Sequence, residues 1–320
     1  MPVNRDKPDR WKADIAKSVD FYNKWFMIFA PKAFRKARAT TQKKVEEALR
    51  ITEFLANVRP EVLRQNAGVL PVLRMSTCPP LARDRLMGLA GVSKNLIMCM
   101  EENKQVPARL SSALLNSGLR KIGTIIEKLT DKDILTWLDN KRPPTSDELQ
   151  RATAIIADRL CGATADPIIR NAQESRQMAT IAKWLEGRGY QRPPSNTRVR
   201  FDQMRPGTFQ FRLNMPANLR GNKETINIPI DVVIMPKRAK QGALPLLIEA
   251  KSAGDFTNVN KRRKEEAKKL DQLTQTYGKR IVYVLFLCGY FDSGYLGYEA
   301  AEGIDWIWEH RIDDMTALGL

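Results

Sequence analysis

Apolar side chains change their period once along this chain. From Lys32 to Val58, the residues Phe34, Ala37, Thr41, Val45, Ala48, Ile51 and Leu55 recur at intervals of three and four, the spacing of one helical face. Asp131 to Leu138 carries a shorter helical pattern. Lys141-Arg142-Pro143-Pro144-Thr145 interrupts it, and Ser146 or Asp147 can cap the helix beyond. We place a domain boundary there, between residues 1–145 and 146–320. Asp166-Pro167 then reads as a cap and a first-turn proline, opening a helix through Ile168, Ile169, Ala172, Met178, Ile181 and Leu185 that ends at Gly187 and Gly189. Beyond it the period falls to two. Thr208 to Leu213 alternates, Ile226–Met235 and Leu244–Lys251 are rich in branched residues, and Ile281–Cys288 is apolar enough for a central strand. A helix from about Asn260 to Tyr277, stopped by Gly278, separates the last two strands. The expected fold is a helical N-terminal region followed by an α+β or α/β core, a mixed sheet flanked by helices.

Charge adds a partner to this outline. The 320 residues hold 53 Lys+Arg against 36 Asp+Glu, a formal charge of +17, which points to a polyanion. With 43% hydrophobic residues the chain can bury a core, so a disordered basic tail is excluded. Residues 1–145 carry 27 basic and 15 acidic side chains, whereas Phe291 to Leu320 holds seven acids and the single base Arg311. The acidic end is expected to face away from nucleic acid. The longest apolar run, Ile281 to Phe291, is too short to cross a bilayer, and the N-terminus lacks the order of a secretory signal, so a cytoplasmic protein is expected. Cys78, Cys99, Cys161 and Cys288 stand far apart and are expected as buried, reduced thiols.

The single histidine, His310, narrows the chemistry. Zinc hydrolases and nucleases of the His-rich type need two or more imidazoles, and a Ser-His-Asp site would have to rest on this single residue, so carboxylates and lysine must carry any reaction. Pro229-Ile230-Asp231 precedes Val232-Val233-Ile234, and the following strand ends in Glu249-Ala250-Lys251. Side chains two apart on a strand share a face, so Glu249 and Lys251 project together, and an adjacent strand can bring Asp231 beside them. Two carboxylates form a hard-oxygen site suited to Mg²⁺, to which the Ala250 carbonyl can add, with an ammonium at hand for a water. The same residues also fit a plain surface Glu and Lys after an edge strand.

The set Asp231 and Glu249-Ala250-Lys251 on consecutive strands, with helices before and after, resembles the PD-(D/E)xK nuclease core, although Ile230 stands where the loose motif has proline. Glu249-Ala-Lys-Ser-Ala-Gly-Asp-Phe-Thr-Asn, then Asn260-Lys-Arg-Arg-Lys-Glu-Glu, then Leu287-Cys-Gly-Tyr-Phe-Asp-Ser-Gly-Tyr-Leu-Gly-Tyr-Glu, is similar to the XamI family of type II restriction endonucleases. The similarity covers most of residues 166–320. It implies a restriction-endonuclease-like fold and Mg²⁺-dependent hydrolysis of both strands of duplex DNA at a short palindrome, of the six-base GTCGAC kind, leaving 5′-phosphates. It also implies a homodimer and a cognate DNA methyltransferase in the same cell. Asp231 and Glu249 would ligate Mg²⁺, and Lys251 would orient or activate the attacking water. Glu174 matches a position where related nucleases often carry an extra acid, and equally fits a solvated helical glutamate. A repair or recombination nuclease on the same core, or a non-catalytic DNA-binding regulator, remains open.

Two segments are candidates for holding DNA. Lys261-Arg262-Arg263-Lys264 places four like charges at a helix start, where the macrodipole opposes them and a phosphate would relieve the repulsion. Thr257, Asn258 and Asn260 are donors and acceptors for base edges, or turn and cap residues. Arg85 to Glu101 reads as helix, glycine turn, helix, which suits a helix-turn-helix with Ser93, Lys94 and Asn95 opening the second helix, or plain helical packing.

Overall fold

In the computed structural model the described residues are 2–194, 199–218, 225–240, 242–256 and 263–320. They divide into two compact units, Ala30–Ile169, and Met1–Phe29 together with Arg170–Leu320.

The unit Ala30–Ile169 is helical. It takes parts of two long helices, α1 (Pro8–Ile51) and α7 (Ser146–Gly187), and all of α2 (Pro60–Gln65), α3 (Leu70–Met75), α4 (Arg83–Ala90), α5 (Lys94–Met98) and α6 (Ser112–Leu129). On α6 the residues Leu115, Leu119, Ile122 and Ile126 are buried at steps of four, three and four, and they join Leu49, Leu63, Leu73, Leu86, Ile97 and Trp137 in one core. Gly123 permits the close approach of that helix, because a Cβ there would stand 2.6 Å from the Val58 carbonyl oxygen. The helix read from Lys32 to Val58 stops at Ile51. Glu53, Phe54 and Leu55 form a left-handed turn that still delivers Leu55 to the core. Asp131 to Leu138 forms turns instead of a helix, since burying Ile134, Leu135 and Trp137 does not require one. Thr145, not Ser146 or Asp147, caps α7. Its hydroxyl faces the Glu148 N–H, and its own N–H donates to the Glu148 carboxylate, a reciprocal capping box. Asp166-Pro167 does not open a helix, because α7 runs through Pro167. Ile156, Ala157 and Cys161 are packed before it and Gln177, Ile181 and Leu185 after it, which outweighs the one hydrogen bond a proline removes.

The other unit is built on a sheet of five strands in the order β1 (Thr208–Asn218), β2 (Thr225–Met235), β3 (Leu246–Ala253), β4 (Val282–Gly289) and β5 (Asp305–Trp308). The pairs β1–β2 and β2–β3 are antiparallel, and β3–β4 and β4–β5 parallel, so the sheet is mixed as expected. One face, with Val233, Leu247, Leu285 and Trp306, packs with α8 (Arg263–Tyr277), α9 (Ser293–Ala301) and Trp11 and Ile15 of α1. The other, with Val232, Ile248, Phe286 and Ile307, packs on Ile181, Trp184 and Leu185 of α7.

The β1–β2 hairpin changes face halfway. Ile228 and Ile230 lie with the α8 side, whereas Val232 and Ile234 lie with the α7 side, and across the pair Met215 and Ala217 separate from Phe209 in the same way. The reversal falls at Arg212 and Asp231, the position missing from an otherwise continuous register, and Arg212 takes φ +53°. A left-handed non-glycine residue costs about 1–2 kcal/mol, and here it frees Asp231 from strand pairing.

Phe291 to Leu320 is not a solvated acidic tail. Glu299, Asp305 and Glu309 are buried. The Asp305 carboxylate accepts the backbone N–H groups of Val3, Asn4 (2.9 Å) and Arg5 (3.0 Å), which ties the start of the chain to β5. Of the four thiols, all free, Cys161 and Cys288 are buried but Cys78 is exposed and Cys99 partly so.

Candidate active site

The β2–β3 ladder pairs Ile234 with Leu246, Val233 with Leu247 and Val232 with Ile248, and then ends. It ends one step short of Asp231 and Glu249, which are close enough that the Glu249 charge acts on the Asp231 carboxyl. Where the ladder stops, the Ala250 N–H donates to Asp231 Oδ2 at 2.9 Å, so the carboxylate takes the place of a strand neighbour. Lys251, two residues beyond Glu249, shares its face: its Nζ lies 3.1 Å from Glu249 Oε1.

The side facing α8 completes the cluster. Lys269 Nζ lies 2.5 Å from Glu249 Oε1, and Glu266 Oε1 lies 2.8 Å from Lys251 Nζ. Glu266 Oε2 accepts the Tyr283 hydroxyl from β4. Glu249 is 5% exposed and Glu266 1%. Glu249 Oε2 is out of solvent and has no hydrogen-bond partner among the described residues.

Burial, and then the Glu249 charge, push the Asp231 carboxyl up to about 6, against the opposing pull of the Ala250 N–H and the two lysines. Burial alone would make Lys251 a weaker base, but Glu266 and Glu249 outweigh it and the net shift is upward, so the side chain is an ammonium at neutral pH. Tyr283 is raised well above the ordinary phenol range by burial and by the Glu266 charge, and stays a hydroxyl donor.

These features fit a hard divalent cation. An orphaned buried carboxylate oxygen beside a second carboxylate, crowded enough to bind protons more tightly than usual, is negative charge in want of a cation. Among the described residues no group of three or more His, Cys, Asp or Glu forms a metal cage. Mg²⁺ does not need one, since it commonly rests on one or two carboxylates with water and substrate phosphate filling the remaining positions.

Glu174 lies on α7 and pairs with Arg212 Nη2 at 2.6 Å, not with the cluster. Arg263 opens α8 and Lys264 is exposed, while Thr257, Asn258, Asn260, Lys261 and Arg262 lie outside the described residues. Residues 85–101 form a helix, a turn at Gly91 with φ +57°, and the five-residue α5, which Ser93 caps through the Leu96 N–H. Ser93, Lys94 and Asn95 are exposed. The half-buried His310 has no hydrogen-bond partner among the described residues.

Sequence reasoning passed over Glu266, Lys269 and Tyr283. The signal was the spacing: Glu266, Lys269, Leu270 and Leu273 fall at steps of three, one and three on one helical stripe, and Leu273 is fully buried.

Among known proteins, the family model for XamI restriction endonuclease matches residues 53–308. The Type II restriction enzyme SalI of Streptomyces albus G is 49% identical over 317 residues, covering 99% of either chain. A solved structure, protein VC1899 from Vibrio cholerae, aligns over 80% of this chain and 55% of its own with 13% identity and a TM-score of 0.28, too low to bear on the fold. With a family match over most of its length and a near full-length relative at that identity, the chain belongs to the XamI restriction endonuclease family.

Proposed function

We propose that this type II restriction endonuclease hydrolyses both strands of double-stranded DNA at a short palindrome of the GTCGAC kind, with Mg²⁺, leaving 5′-phosphates. The observation that carries the reading is the cluster where β2 and β3 part: Asp231 on the Ala250 N–H and under the Glu249 charge, Lys251 3.1 Å from Glu249, and one Glu249 oxygen unpartnered among the described residues. The site lies in a PD-(D/E)xK core within residues 146–320, and the basic region 1–145 serves DNA contact, specificity or dimerisation. A palindromic target calls for two sites related by a twofold axis, hence a homodimer. A cognate methyltransferase protects the host, and the enzyme acts in the cytoplasm. Among the described residues no helix is long and apolar enough to cross a membrane.

Asp231 and Glu249, with the Ala250 carbonyl between them, would hold Mg²⁺, which supplies charge neutralisation at the phosphate and acidifies bound water. Lys251, kept protonated by its two carboxylates, acts as a donor: it orients the attacking water and stabilises negative charge on the phosphate. Ser93, Lys94 and Asn95, together with Lys261, Arg262, Arg263 and Lys264 and the polar Thr257, Asn258 and Asn260, contact the duplex.

Digestion of a sequenced genome with end mapping tests this reading. Discrete fragments with 5′-phosphates at one palindrome, appearing with Mg²⁺ and lost in EDTA, are expected. Intact DNA in Mg²⁺, or ends at unrelated sequences, would overturn it.

A further inference from the structure

Helix α8 brings a carboxylate to the catalytic lysine from outside the strand motif. We infer that Glu266 is a positioning residue for Lys251, holding the ammonium at the reacting phosphate while Glu249 is engaged with the metal. The inference rests on the proposed role of Lys251.

The argument is one of counting partners. Glu249 Oε1 is approached by two ammonium groups, Lys251 at 3.1 Å and Lys269 at 2.5 Å. Among the described residues, Lys251 but not Lys269 has a second carboxylate, Glu266, and the nearer one at 2.8 Å. When Glu249 turns its charge to a cation, its hold on both lysines weakens, and Glu266 is what keeps Lys251 in place. A flexible four-carbon side chain has little to fix it otherwise. Glu266 is itself aimed from two directions, by the first turn of α8 that carries it and by the Tyr283 hydroxyl on its other oxygen. At 1% exposure it is the kind of carboxylate a protein retains only where it is paired: Oε2 accepts the Tyr283 hydroxyl, and Oε1 meets Lys251 as an ion pair at 2.8 Å without a well-directed hydrogen bond. Lys269 lacks such a second anchor among its described contacts and is left free to meet a phosphate.

The test compares Glu266→Gln, Tyr283→Phe, Lys251→Met and the double variant Glu266→Gln/Lys251→Met in the full-length protein. Single-turnover cleavage is measured on a duplex carrying the mapped site, with binding of the same duplex in EDTA and thermal melting in parallel. Glu266→Gln keeps volume and hydrogen-bonding atoms, so it is expected to bind DNA as wild type does but to cut about 30–100-fold more slowly, with the smaller loss, about 5-fold, in Tyr283→Phe. Because Glu266 acts through Lys251, the double variant is expected to be no slower than Lys251→Met alone. A purely structural role would instead add a second loss to the double variant and weaken DNA binding in step with melting temperature; either result overturns the inference. So does wild-type cleavage by Glu266→Gln. If Lys251→Met itself cuts at the wild-type rate, the assignment of the lysine fails. If Lys251→Met is slow and Glu266→Gln is fast, only the role of Glu266 fails.

Discussion

Glu101 in the helical unit and Glu249 in the sheet unit are both carboxylates withdrawn from water, and each meets two cationic side chains. Around Glu101, whose side chain is 1% exposed, Arg74 donates to both oxygens and Arg83 to one of them, so no lone oxygen remains. Arg74 also donates to the Leu81 carbonyl. Asp131 and Arg159 repeat the pattern: the pair closes at 2.8 Å while the guanidinium also serves the carbonyls of Met75 and Thr77. Around Glu249 both lysines crowd onto one oxygen, and the other has no hydrogen bond among the described residues. Arginine forks saturate a carboxylate, whereas ammonium groups can be shared and released. Burial alone therefore does not mark a working carboxylate. What separates Glu249 from Glu101 is an unfilled oxygen beside two ammonium groups.

The largest expected effect is on catalysis. Lys251→Met lowers single-turnover cleavage by about 1,000-fold or more while binding of the uncut duplex persists, and a rate within about tenfold of wild type would remove the lysine from the site. Glu101→Gln leaves a buried arginine short of a counter-ion and is expected to cost about 3–5 kcal/mol of stability, read as a lower urea midpoint, with the catalytic rate of the folded fraction unchanged. A loss below about 1 kcal/mol would show that the two clusters do not differ as described.

Glu299 on α9 sharpens the contrast through pH. It is fully buried, neither of its oxygens has a hydrogen bond of good geometry, and burial followed by the Glu266 charge pushes it up to about 8, offset only in part by the Tyr295 hydroxyl. The folded state thus holds a proton that the unfolded chain releases near pH 4.5, and stability falls as pH rises from there through about 8. Glu299→Gln is expected to match wild type at pH 5 and to exceed it by about 2–4 kcal/mol at pH 9. Equal stabilities at pH 9 would mean that the group is partnered after all. The smallest effect is local. Thr145→Ala removes half of the capping box on α7 and is expected to cost about 1 kcal/mol by thermal melting, without a change in cleavage.

The strands were legible in the sequence because β-branched runs such as Ile281–Cys288 have no other stable use in a chain of this composition. Asp231, Glu249 and Lys251 were legible because charge at the end of such runs is out of place. Glu266 and Lys269 were hidden by the opposite circumstance: Glu and Lys are ordinary on a helix, and only their stripe with Leu270 and Leu273 separates them from solvated neighbours. The hairpin reversal was hidden too, since Arg212 carries no side-chain signal for a positive φ, and Ile230 before Asp231 looks like a departure from a motif until both strands are seen to change face together. Pro167 misled because its local rule is strong and the packing that overrides it is remote in sequence.

The Asp305 carboxylate binds the N–H groups of residues made about three hundred positions earlier. At a synthesis rate of roughly 5–20 residues per second, the first turns of the chain wait roughly 15–60 s on the ribosome before this partner exists. Val3, Asn4 and Arg5 can therefore be anchored on β5 only once residue 305 has been made, so this contact of the sheet unit forms late in synthesis.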